Sequence, residues 1–143
     1  MRKLLTFAIF AFFGVAIATF SGCQQPPTIT VDPDITGEIA GPFSGNYVVN
    51  YADNPGDNFS SQINLVVSGL DKKLIHVATQ GGDSFDCTIS GSSSSMVLSD
   101  IKNGKGVYQY ADTIDGFYNN GRLYYKVTGT INGGAFYAEF TVI

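Results

Sequence analysis

The chain reads as an all-β protein: an eight-stranded antiparallel up-and-down barrel, with a two-sheet β-sandwich as the alternative. Three observations predict it. From Phe43 onward apolar and polar residues alternate, the period of strands with one buried face, and nothing there sustains a helical repeat. Asn103-Gly104, Asn120-Gly121 and Asn132-Gly133 are dipeptides that tolerate positive φ in tight hairpins, and Gly69-Leu70-Asp71, Gly81-Gly82-Asp83 and Gly91 mark three more turns. The strands between them recur about every ten residues, the spacing of small barrels and sandwiches. Connections this short favour a meander, because Greek keys need a longer crossover.

The first element is a leader, residues 1–22. Arg2 and Lys3 open it, an apolar run follows from Leu4 to Phe20, and the small residues Ser21 and Gly22 close it. A charged start, an apolar middle and a small-residue exit is the layout of an export signal. Cys23 comes next. The stretch "FSGC" resembles the lipobox of bacterial lipoproteins, with Phe20 where leucine is usual. The resemblance implies that Cys23 receives a diacylglyceryl group on its thiol, that the chain is cut before it, and that palmitate-type acyl chains then hold it to a membrane. Several chains on one residue make a firm anchor, at about 0.8 kcal/mol per buried methylene. Gln24 stands where an inner-membrane-retained lipoprotein would carry aspartate, which favours the outer membrane of a cell envelope and leaves the leaflet open.

Residues 23–42 read as the lipidated cysteine and a tether, since four of the five prolines fall between 24 and 42. The all-β domain is expected over 43–143, with strands at 44–51, 60–68, 72–79, 84–89, 94–99, 106–114, 122–131 and 135–142. "QINLVVS" puts Ile63, Leu65 and Val67 on one face. "RLYYKVTG" groups Leu123, Tyr125 and Val127, and "AFYAEFTV" groups Phe136, Ala138, Phe140 and Val142.

Composition excludes several roles. Of eight basic residues, Arg2 and Lys3 fall in the leader, leaving six against twelve acidic ones. Nucleic acid is not an expected partner, because phosphates demand a basic face. After Cys23 only Cys87 remains, so no internal disulfide is available. Cys87 alternates with Phe85 and Ile89 and reads as a small buried hydrophobe. His76 is the lone histidine, on a strand face with Leu74 and Ala78, and reads as a structural strand residue. Asp53, Asp57, Asp83 and Asp86 cluster near turns, where aspartate is an ordinary turn former; their spacing matches no calcium loop. No metal, no cofactor and no catalytic residue is expected.

Eight up-and-down strands can close on themselves and remove both sheet edges. "GPFSGNYVV" opens the first strand with Gly45-Asn46-Tyr47, where lipocalins carry glycine, any residue and tryptophan. On this triplet residues 43–143 resemble the lipocalin-like, or calycin, superfamily. The resemblance implies a non-enzymatic barrel binding one small, partly apolar ligand, lined by Tyr47, Leu65, Phe85 and Tyr125. The competing expectation is a protein-interaction module, an inhibitor or accessory subunit of the envelope, whose core is solid and whose outward tyrosines and 52–58 loop do the binding. A cavity above about 300 Å³ would favour the first.

Overall fold

The computed structural model describes residues 33–143. The leader, Cys23 and most of the tether lie outside the described residues. A short helix, α1 (Thr36–Ile39), precedes β1 (Gly41–Tyr51), β2 (Phe59–Asp71), β3 (Leu74–Thr79), β4 (Ser84–Ser92), β5 (Ser95–Lys105), β6 (Ala111–Asn119), β7 (Arg122–Ile131) and β8 (Gly134–Val142). Each strand pairs antiparallel with the next, and β1 pairs with β8 from Gly45↔Val142 to Tyr51↔Phe136, which closes the barrel. The closed up-and-down barrel is therefore the fold, and the sandwich is excluded.

The alternation read from the sequence decides what faces inward. Leu65 and Val67 of β2, Leu123, Tyr125 and Val127 of β7, and Phe136, Ala138 and Phe140 of β8 are buried, as are Phe85, Cys87 and Ile89 of β4. Asn64, Ser68, Lys126, Thr128 and Glu139 occupy the intervening outward positions. Apolar inside and polar outside is the reverse of a membrane-spanning barrel, which shows lipid an apolar band. Gly45 lies inward between β2 and β8; a Cβ there would come within 2.6 Å of the Phe140 ring, so the glycine makes room for an aromatic core.

Three turns form as read, Gly81-Gly82-Asp83 between β3 and β4 among them, whereas Gly91 lies inside β4 and the chain reverses at residues 93–94 instead. Asn120-Gly121 (φ 46° and 87°) and Asn132-Gly133 (φ 52° and 87°) each link strands whose flanking residues pair directly, Asn119↔Arg122 and Ile131↔Gly134. Asn103-Gly104 does not make a turn. It lies inside β5, where Asp100 (φ 54°) and Asn103 (φ 50°) sit in two bulges against β4. The expected sixth strand over 106–114 is accordingly displaced. Residues Gly106–Tyr110 form a 3₁₀ helix and β6 runs over Ala111–Asn119. The physical reason is pairing: β5 meets β6 only from Ser95↔Asn119 to Leu98↔Gly116. Beyond that the two strands part, and the 3₁₀ helix enters the opening with Tyr108 buried. The turn expected at Gly69–Asp71 is likewise an irregularity in β2, and the chain reverses at residues 72–73 instead.

The two ends of the barrel differ. At one end lie α1 and the β2–β3, β4–β5 and β6–β7 turns. Ile35 and Ile39, an i, i+4 pair, are buried in the core there, and Ile35 N–H donates to Lys72 O at 3.3 Å. Residues 34–40 thus pack on the barrel, and the domain reaches back past residue 43. At the other end lie the 52–58 loop, the β3–β4 turn, the 3₁₀ helix 106–110 and the β7–β8 turn. Replacing Ile39 by alanine should lower the unfolding free energy of the full chain by about 2–5 kcal/mol in urea denaturation. A loss below about 0.5 kcal/mol, the level of a surface change, would mean that α1 hangs free of the core.

Candidate functional site

The four residues expected to line a ligand all point inward, but the structure separates them. Leu65, Phe85 and Tyr125 are interior fill, at most 1 % exposed. Phe85 packs edge-on against Tyr108 (4.6 Å between centroids) and Tyr125 (5.2 Å), and Tyr125 stacks on Phe140 at 5.6 Å. The Tyr108 and Tyr125 hydroxyls satisfy each other at 2.8 Å. Desolvation holds both phenols protonated well above the ordinary tyrosine range. Cys87 is buried among these groups, and burial pushes its thiol up to about 12, so it is inert as a nucleophile.

Tyr47 alone of the four borders free space. It lines a cleft of about 270 Å³ at the open end, together with Val49, Tyr51, Phe59, Thr79 and Asp83. The Tyr47 residue is 4 % exposed and its Oη is buried without a hydrogen-bond partner. Burial pushes the phenol up to about 12, against a lowering influence of the neighbouring Tyr108 phenol. Asp83 stands at the rim and accepts a hydrogen bond from Val107 N–H at 3.3 Å. Tyr51 is shared with a second, more polar cleft of about 480 Å³ between the 52–58 loop and the β7–β8 turn, bordered by Asp53, Asn54 and Asp57. Burial, and then the charges of Asp83 and Asp57, raise the Tyr51 phenol. Chemically, the mouth offers aromatic walls and one carboxylate, while the Tyr47 hydroxyl itself is buried.

The sequence missed a polar cluster on the outer wall. Ser68, His76 and Asp86 stand in register across β2, β3 and β4. His76 Nδ1–H donates to Asp86 Oδ1 at 2.6 Å, and Asn103 Nδ2 donates to Asp86 Oδ2 at 2.6 Å. Burial opposes the charged form of Asp86, but the bonds from Asn103 and His76 outweigh it, and the carboxyl ends below its ordinary value. The cluster ties the bulge of β5 to β4. Only the unusual Asn103-Gly104 pair hinted at it, and that pair also reads as a hairpin turn. Among the described residues, no group of three or more histidine, cysteine or acidic side chains could hold a metal ion.

No family model and no curated protein matches the chain. Among solved structures, a redesigned β-barrel is similar, at 12 % identity over 78 % of this chain and 96 % of that one, with a TM-score of 0.37.

Two substitutions should separate the inner phenols. Tyr125→Phe strands the buried Tyr108 hydroxyl and should cost about 1–3 kcal/mol in urea denaturation. Tyr47→Phe removes a hydroxyl that bonds to nothing and should leave stability unchanged or raised. Equal losses would contradict the hydrogen-bond pattern. The phenols also predict a pH effect. Their folded values lie above the ordinary value of 10.0, so the folded state holds more protons in alkali. Stability should be at full strength below about pH 10 and fall as pH rises from there. Urea melts at about pH 9 and about pH 11 check the sign.

Proposed function

We propose that this is a lipid-anchored, non-enzymatic binding protein of the cell envelope, held to a membrane by acyl chains on Cys23, that takes a small, partly apolar ligand at the open mouth of its barrel. The observation that carries the reading is the mouth cleft of about 270 Å³, walled by Tyr47, Tyr51 and Phe59. Tyr51, Phe59 and Val49 supply apolar contact, and Asp83 favours a ligand bearing a hydrogen-bond donor or a positive charge. The site keeps Tyr47 from the lipocalin-like expectation and exchanges Leu65, Phe85 and Tyr125 for residues of the rim.

One observation favours a second reading, an interaction module with a solid core. The Phe85–Tyr108–Tyr125–Phe140 packing leaves no calyx, and the cleft at 270 Å³ is shallower than a fully enclosed ligand needs. There the 52–58 loop would contact an envelope protein.

Native mass spectrometry of the full protein extracted from its own host separates the readings. The expected spectrum shows an acyl mass increment that Cys23→Ser abolishes, and a second, non-covalent small-molecule increment that Tyr47→Trp, by filling the cleft, removes. Loss of the second increment alone, with a protein co-purifying instead, would favour the interaction module. Absence of the first would refute the anchor.

A further inference from the structure

We infer that the barrel stands on the membrane by the end that α1 caps, with the Val97–Phe117–Tyr124 wall against the headgroup region and the Tyr47 mouth facing away from the bilayer. The inference rests on the acylation of Cys23 proposed above and adds an orientation to it.

Chain length carries the first part. Cys23 lies ten peptide steps before Pro33, a reach of at most about 35 Å. The described chain enters at the α1 end, where Ile35 N–H meets Lys72 O and Gly41 begins β1. A nine-residue strand such as β8 rises about 30 Å, somewhat less when tilted. Bringing the mouth to the bilayer would require the tether to run back along almost the full height of the barrel. Bringing the α1 end to the bilayer requires no such return.

The surface carries the second part. Val97, Phe117 and Tyr124 face outward in one row across β5, β6 and β7, each within a few residues of the α1 end. Val97 is 54 % and Phe117 49 % exposed, and Phe117 stacks on Tyr124 at 5.3 Å. A groove of about 440 Å³ adjoins them, with Arg122 at its rim. Leu70, also exposed, stands across the same end on β2. Tyrosine beside apolar rings and a long basic side chain is the composition that settles at a membrane–water interface. The charges agree. At the α1 end, Lys72, Lys73 and Arg122 balance Asp34, Glu38 and Asp71, whereas the mouth sets Asp53, Asp57, Asp83 and Asp112 against Lys105. Phe59 and Tyr110 are exposed at the mouth, but among those acids, which an anionic surface repels.

The chain has no tryptophan, so one introduced indole reports its own surroundings. Phe117→Trp and Phe59→Trp, each in the full protein produced in cells that process lipoproteins, are reconstituted into phosphatidylcholine vesicles containing doxyl-labelled phosphatidylcholine. Tyr124→Trp repeats the first readout should Phe117→Trp fail to fold. The expected result is that the indole of Phe117→Trp, or of Tyr124→Trp, is quenched severalfold more strongly than that of Phe59→Trp. Equal quenching, or stronger quenching in Phe59→Trp, overturns the orientation while leaving the anchor intact. Blue-shifted but unquenched emission from Phe117→Trp also overturns it, pointing to a protein on that wall. Failure of every variant to float with the vesicles refutes the anchor and the orientation with it.

Discussion

Closure of the β1–β8 seam is the constraint on which the rest of the structure depends. Once Gly45 through Tyr51 pair with Val142 through Phe136, the number of strands sets the bore, and an eight-stranded bore is about as wide as the side chains pointing into it. The inward rows then have to fill it. Phe85, Tyr108, Tyr125 and Phe140 do so with edge-to-face and stacked contacts, and Gly45 gives up a side chain to admit the Phe140 ring. Free space is thereby displaced from the interior to the mouth.

Closure also makes the plugs necessary. A barrel has no sheet edges but two open ends, each exposing the apolar ends of its inner rows. Here the ends are treated differently. Ile35 and, in α1, Ile39 cover one, while the 3₁₀ helix 106–110 only partly covers the other, lowering Tyr108 through the parting of β5 and β6. The uncovered remainder is the cleft beside Tyr47. The proposed binding at the mouth rests on that asymmetry.

Much of this was legible in the residues, and what was not has identifiable causes. Alternation in "RLYYKVTG" and "AFYAEFTV" gave the correct inward sets because a half-buried strand has one physical solution to period two. Asn120-Gly121 and Asn132-Gly133 gave the correct hairpins because both residues take positive φ there. Asn103-Gly104 misled for the same reason: a bulge asks for positive φ as a turn does, and only the long-range bond from Asn103 to Asp86 distinguishes them. "GVYQY" alternates like a strand, yet Tyr108 is wanted inside the bore and no neighbouring strand is available for pairing. The Ile35/Ile39 pair was hidden in a proline-rich stretch, although its i, i+4 spacing was the available signal. Of the four ligand-lining residues expected, Tyr47 reaches the mouth. Which inward side chains touch space and which touch each other is a property of depth along the barrel, and alternation carries no information about depth.

Amide hydrogen exchange across the barrel tests the central claim most directly. If the seam is closed as described, backbone amides of β1 and β8 that pair with each other, between Tyr47 and Tyr51 and between Phe136 and Phe140, exchange as slowly as those that join β7 to β8. Seam amides exchanging at the rate of an exposed edge, with protection confined to the other pairings, would mean that the sheet is open, and the filled bore, the displaced cleft and the two unlike ends would all lose their basis.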